Sequence, residues 1–163
     1  MIGVMVYSFA RVSATIGMNV EDYYPRGRRM WFRLDEKGGK HHAVPAHHKV
    51  EEYVDAYLEA ASLEDQRKTP LFRTISRDRS LTDQRMHRND VLRMIKRRAG
   101  DAGLPEHIGC HTFRATGTTA YLSNGGLLEH AMKIAAHSSA RTTKLYDRTD
   151  DSVSLDEIER IAI

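Results

Sequence analysis

A single cysteine, Cys110, stands in the whole chain, so no disulfide can form within it, and a reducing compartment such as the cytoplasm suits it. Long hydrophobic runs are missing as well. Nothing approaches the roughly 18 consecutive apolar residues that a membrane span needs. The apolar opening, MIGVMVYSFA, has no basic stretch ahead of it and leads straight into Arg11, so it reads as a buried helix rather than a signal peptide. Internal repeats and low-complexity tracts are absent, and no change of composition marks a second domain. What is left, at 163 residues with 40% apolar and 29% charged content, is one ordinary folded domain with a proper core.

The charge is present in both signs but unevenly placed. The formal net of +3 hides an acidic tail, because residues 147–163 carry six acids and two bases. The remaining body holds 23 bases against 16 acids, a net of +7. A basic body suggests a polyanionic partner.

Periodicity places the elements. Residues 2–17 read as one helix. The runs MWFRLD (30–35) and KHHAVP (40–45) read as short strands around EKGG, where Gly38 and Gly39 supply the positive φ angles of a tight turn and Lys37 sits at or beside its tip. A helix over 47–62 has Val50, Tyr53, Val54, Tyr57, Leu58 and Ala61 on one face. LFRTI (71–75) reads as another strand and the following SRDRSLTDQR as loop. A helix over 88–102 turns Leu92, Ile95, Ala99 and Ala102 inward, and Arg93, Lys96 and Arg97 outward as a candidate DNA-binding face. Another over 111–123 buries Phe113, Gly117, Ala120 and Tyr121 and ends at Asn124-Gly125-Gly126, and a shorter one covers 127–136. In the tail, Ser154 and Glu157 form a capping box with Val153 and Ile158 as its staple, which predicts an acidic helix from about 155. The class is α+β, mostly α, with a small antiparallel sheet near the N-terminus.

The residues that carry chemistry lie between His111 and Tyr146. His111 and Arg114 are three apart, hence on one side of a helix. His137 and Tyr146 complete the pattern H-x2-R-x22-H-x8-Y, with Thr142-Thr143 shortly ahead of the tyrosine. Together HTFRAT, AAHSSARTTKLYDR and the Gly-Gly between them resemble the C-terminal boxes of the tyrosine recombinases, or phage integrases. That family also has an arginine early in its catalytic domain, in a box like R-V-S-E, and a lysine in a later β-hairpin turn. Here ARVSA supplies Arg11 and DEKGGKHHAVP supplies Lys37, with Lys40 also in the turn. All six positions occur in order and span nearly the whole chain. Two positions depart from the pattern. Ala14 stands where an acid is usual, which leaves the support of Arg11 open. Ala136 stands where glycine is common before the second histidine, a change expected to be nearly neutral.

The resemblance implies a tyrosine-recombinase catalytic-domain fold over residues 1–150. It also implies a C-terminal tail, 151–163, docked on a neighbouring protomer or on the body. The implied activity is site-specific breakage and rejoining of double-stranded DNA by a homo-oligomer, a tetramer on DNA, with no metal, cofactor or ATP. The family carries an additional N-terminal helical domain, so the chain is expected to be a truncated piece without it. The chemistry suits the residue types. Tyr146 would attack the phosphorus, His111 accept the phenol proton, Arg11 and Arg114 present forks to the non-bridging oxygens, His137 donate to one of them, and Lys37 protonate the leaving 5′ oxygen. Two other readings compete. Four histidines in HHAVPAHH, or His107 with Cys110 and His111, invite a metal, but strand neighbours face opposite ways and no second half of a ligand set appears. A non-catalytic helix-turn-helix module over the C-terminal boxes would leave Arg11, Lys37 and the Tyr146 spacing unexplained.

Overall fold

Seven helices and two small antiparallel sheets make up the computed structural model, which describes residues 1–36 and 38–147, Lys40 by its backbone only. Lys37 and the tail helix expected from about 155 lie outside the described residues. The helices are α1 (Ile2–Tyr7), α2 (Val12–Gly17), α3 (His48–Ala61), α4 (Arg88–Asp101), α5 (Cys110–Ser123), α6 (Leu128–Ile134) and α7 (Ala140–Lys144). The strands are β1 (Tyr23–Arg26), β2 (Arg29–Glu36), β3 (Lys40–Pro45), β4 (Arg73–Ile75) and β5 (Leu81–Arg85), in a three-stranded sheet β1-β2-β3 and a hairpin β4-β5.

The single helix expected over 2–17 is broken. Ser8 turns its hydroxyl back onto the Val4 carbonyl at 2.6 Å, a local bond that competes with helix propagation, and Phe9 adopts a left-handed φ of 52°. What holds the break open is tertiary, since the Phe9 carbonyl and the Arg11 amide both bond to residues far along the chain. Apolar periodicity carries no trace of such partners. Strand β1, with one buried residue in four, carries no alternating apolar pattern, and the segment after residue 75 expected to be loop contains β5, paired with β4 through Arg73↔Arg85 and Ile75↔Leu81. Strand β5 is polar and exposed along most of its length, so it shows no burial pattern to detect.

Strand β2 runs through the middle of the sheet, Phe32 opposite Tyr23 on one side and Val44 on the other. Its side chains alternate as a half-buried strand must: Phe32, Leu34 and Glu36 are buried, Arg33 and Asp35 exposed. Phe32 and Leu34 join Val4, Ala14, Val50, Val54 and Leu71 in the main core. A second cluster ties α1 and α2 to α4 through Met5, Val12, Val91 and Ile95. In α4, Ile95 and Ala99 are inward as expected, but Val91 takes the place assigned to Leu92, which is exposed along with Ala102. In α3, Val50, Val54 and Leu58 form the buried stripe, while Tyr53 lies outside it at 58% exposure.

Helix α5 packs on α1 so closely that a Cβ at Gly117 would sit 1.9 Å from the Val6 carbonyl oxygen. Its inward face is Arg114, Gly117, Thr118 and Leu122, and the expected Ala120 is exposed. The stop at 124–126 is as read: Gly125 is left-handed, its amide and that of Gly126 close onto Leu122 and Tyr121, and the Gly126 Cα lies against the Tyr121 ring. Helix α7 is short and polar and has no apolar stripe by which the sequence could show it.

Candidate active site

Five of the six expected residues converge from four parts of the fold. Arg11 is the residue that starts α2, its extended backbone (φ −70°, ψ 151°) turning the chain out of the break after α1. His111 and Arg114 project from the first turns of α5, and His137 follows the end of α6. There the Ala136 and His137 amides close onto Lys133 and Met132 in a Schellman arrangement, with Ala136 left-handed at φ 48°. Alanine at 136 therefore carries a backbone cost there that glycine would not. An L-residue in this region costs about 1–2 kcal/mol. Tyr146 follows α7, and Lys37 lies outside the described residues.

Arg114 is the anchor. At 2% exposure it is the largest fully buried side chain among the described residues, a placement that charged residues tolerate only when they are paired and hydrogen-bonded. Its guanidinium donates to the Phe9 carbonyl and, at 2.5 Å, to the Ala135 carbonyl, and lies 3.6 Å from Glu36 Oε1. One side chain thus ties the α1–α2 break, the end of α6 and the end of β2 together. Burial and the nearby Arg11 push its pKa below the ordinary arginine value, while Glu36 and Tyr146 pull it back up.

Arg11 is partly open to solvent, its side chain 34% exposed. One nitrogen holds Glu36 Oε2 at 2.5 Å and its backbone N–H donates to Oε1 at 3.0 Å. Glu36 is not among the motif positions in the sequence. The signal that could have found it is the alternation Phe32–Leu34–Glu36, which puts a carboxylate on a core-facing position of β2 where it must find cations.

The tyrosine and both histidines form a small cluster. The Tyr146 hydroxyl lies 2.9 Å from His111 Nε2, and its ring is nearly parallel to His137 (11°) with centroids 6.2 Å apart. His137 Nδ1 is 2.9 Å from the hydroxyl of the fully buried Thr143. Burial first, then the positive charge of Arg114 and Arg11, lowers the His137 pKa to about 4, so the ring is neutral near pH 7. A cleft of about 150 Å³ opens between Ala10, Arg11, Ser13, Arg88, His111 and Arg114. Arg88, at the head of α4, is a further cation of this cleft, one that no motif in the sequence marks.

Arg93, Lys96 and Arg97 are exposed on α4 as expected, but on another side of it from Arg88. At about 100° per residue, Arg93 and Arg97 project roughly 140° and 180° around the helix from Arg88. They line a separate hollow of about 620 Å³ with Met1, Phe72, Ile75 and Met94. Arg93 pairs with Asp90 at 2.5 Å and Lys96 donates to the Glu106 carbonyl. Among the histidines of the metal reading, His41 pairs with Asp35, His42 meets the Ile134 carbonyl and His47 stacks between Tyr7 and His48.

Two buried or half-buried arginines, a tyrosine on a histidine and a second histidine behind it are the chemistry the motif implied. Comparison with known proteins decides the relationship: the family described as phage integrase matches residues 1–152. The chain belongs to the phage integrase family. This integrase-family chain is 33% identical to the tyrosine recombinase XerC of Rhodospirillum centenum over 140 residues, which cover 86% of it and 39% of that relative. It is 25% identical to XerD of Mycobacterium leprae over 138 residues, covering 84% and 43%. The chain therefore spans well under half the length of these two relatives. Among solved structures, the fold is shared with XerA recombinase at a TM-score of 0.74 and 24% identity, over 91% of this chain and 52% of that one. It is shared too with a lambda integrase dimer bound to a COC′ core site, at 0.66 and 18%, over 94% and 44%. The α+β reading, mostly helical with a small N-terminal sheet, holds.

Proposed function

We propose that residues 1–150 are the catalytic domain of a site-specific DNA recombinase or integrase, which cuts and rejoins double-stranded DNA through a 3′-phosphotyrosyl link. The observation that carries this reading is the 2.9 Å contact of the Tyr146 hydroxyl with His111 Nε2, beside the two arginines joined by Glu36. The hydroxyl donates to Nε2, so His111 takes the proton as the phenolate oxygen attacks phosphorus. The P–O5′ bond breaks, and the departing oxygen receives a proton from Lys37. Arg11 and Arg114 stabilise the charge on the non-bridging oxygens, fixed in place before the reaction begins. His137 is neutral and, with the Thr143 hydroxyl donating to Nδ1, carries its proton on Nε2 for a phosphate oxygen. The ester energy stays in the tyrosyl link, so a 5′ hydroxyl reverses the step without ATP.

The partner is double-stranded DNA, bound chiefly through its phosphates by the basic body, with Arg93, Lys96 and Arg97 contributing away from the cleft. A tetramer on DNA, with residues 151–163 docking on a neighbouring protomer, completes the reading. The test is incubation with DNA carrying a nick next to the cleavage site, followed by denaturing electrophoresis. A covalent adduct that vanishes in Tyr146→Phe is expected, and its absence from the wild-type chain on every DNA offered would defeat the assignment. Lys37→Ala should bind DNA normally yet cleave about 10² to 10⁴ times more slowly. A 5′-bridging sulfur, which leaves without protonation, should restore most of that rate. Restoration in Lys40→Ala instead would move the acid to Lys40.

A further inference from the structure

The resemblance calls for an acid three residues after Arg11, and the chain has Ala14 there. Ala14 is 1% exposed and packs among apolar side chains in the main core. The site nevertheless contains a buried carboxylate, delivered by a different element. Glu36 ends β2 at 4% exposure, accepts from both the backbone and the guanidinium of Arg11, and faces Arg114 at 3.6 Å. Two guanidiniums brought to one cleft repel each other, the more so as one of them is fully desolvated. A carboxylate between them lowers the local charge from two positive to one and gives Arg11 a fixed edge, leaving its other donors for an incoming anion.

We propose that Glu36 is the positioning residue of this site: it takes over from position 14 the support of Arg11, and holds that arginine and Arg114 together in one cleft. This rests on reading the cleft as a phosphoryl-transfer site. It is a role played through other groups, since both Glu36 oxygens are committed to Arg11 and Arg114.

A positioning role and a merely structural one part ways in the isosteric variant. Glu36→Gln keeps the shape and an acceptor for Arg11 but removes the charge. With one more net positive charge in the cleft, it should bind nicked DNA at least as tightly as wild type. At saturating DNA it should form the Tyr146 adduct on the order of 10² times more slowly, the loss a misplaced reacting group brings. Glu36→Asp, which keeps the charge on a shorter arm, should recover part of the rate. Arg11→Ala combined with Glu36→Gln should be slower than Arg11→Ala alone by much less than the loss Glu36→Gln causes by itself, because most of the carboxylate's effect passes through that arginine. Wild-type cleavage rates in Glu36→Gln, or a full additional loss in the double variant, would overturn the proposal. So would a joint fall of binding, rate and melting temperature in Glu36→Gln with no recovery in Glu36→Asp. A readout free of activity separates this from the functional reading. In arginine side-chain ¹⁵N spectra, Glu36→Gln should broaden or shift the Arg11 and Arg114 signals and leave buried Arg73, held by Asp83 and Gln66, unchanged. Shifts there without any wild-type adduct would keep the positioning role and sink the phosphoryl-transfer reading instead. Unmoved Arg11 and Arg114 signals would sink the positioning role.

Discussion

The first hundred residues and the last forty described ones are held together by different forces. The sheet, α1–α4 and the chain between them close over Phe32, Leu34, Val50, Val54, Leu71, Val91 and Ile95, apolar side chains whose burial is non-directional and tolerant. The layer of α5, α6 and α7 has far less of this. Its apolar cluster is Phe9, Leu122, Ala131 and Ala135, and much of what else it buries is Arg114, Thr118, Thr143 and a bare glycine backbone. Polar burial is directional: satisfied, it fixes one geometry, and broken, it leaves unpaired groups in low dielectric. The half that brings together two histidines, an arginine and a tyrosine is the half built from hydrogen bonds.

Breaking the polar half at its centre should have the largest effect. Arg114→Met leaves the Phe9 and Ala135 carbonyls without their donor and Glu36 with one cation, a loss of about 3–5 kcal/mol by analogy with other broken buried pairs. Hydrogen exchange should show protection falling in α5–α7 and at the α1–α2 break while β2, β3 and α3 keep theirs. Leu34→Ala, a cavity of about 2–5 kcal/mol in the apolar half, should instead lower protection across the sheet and leave the Tyr146–His111 contact in place. Equal loss of protection everywhere in both variants would mean the two halves are one cooperative unit.

Gly117→Ala probes the contact between the halves. The added methyl meets the Val6 carbonyl, which is backbone and gives way only if α5 moves off α1. About 1–3 kcal/mol is expected, read in thermal melts, with the adduct rate falling further than stability alone explains because Arg114 rides on the same helix.

These halves also differ in how well the sequence shows them. The cores of β2, α3 and α4 follow from periods of 2 and 3.6, and the errors there, Leu92, Ala102 and Tyr53, are a fraction of a turn. Helix α5 hides its buried face because Arg114, Gly117 and Thr118 are not apolar, so Ala120 and Phe113 look like better candidates. The motif spacing reached His111, Arg114, His137 and Tyr146, where periodicity was silent. Glu36 fell between the methods: no motif names it, and its strand alternation reads as a core position only once the carboxylate's partners are known. The break at Ser8–Ala10 was illegible for the same reason, its partners lying 25 and 105 residues away.

Acid should loosen the polar half first. The His137 pKa is depressed to about 4, while the unfolded chain's histidine titrates near 6.5. The unfolded state then binds the extra proton between these values, so this histidine's contribution is complete above pH 6.5 and is lost as the pH falls toward 4. One proton limits the slope to roughly 1.4 kcal/mol per pH unit, less where solvent screens the ring. His137→Gln should flatten the melting-temperature profile over that window, and an unchanged slope would place the proton elsewhere.

The smallest expected effect sharpens the comparison from the other side, by improving the polar half. Ala136 holds a left-handed φ of 48° between Ala135, whose carbonyl accepts from Arg114, and His137, which faces Tyr146. That conformation costs an alanine about 1–2 kcal/mol, and glycine would be relieved of it. Glycine also gives back about 0.4–1 kcal/mol by loosening the unfolded chain, so Ala136→Gly should stabilise by less than about 1 kcal/mol, a small rise in melting temperature. The position of His137 is set by its bond to Thr143 and the amide bond to Met132, neither of which the substitution touches. The adduct rate should therefore stay at the wild-type value while stability rises. A faster rate would show that strain at 136 holds His137 off its working position. A loss of stability would show that the methyl group of half-buried Ala136, which lines a hollow together with Trp31 and His42, contributes more packing than its backbone costs.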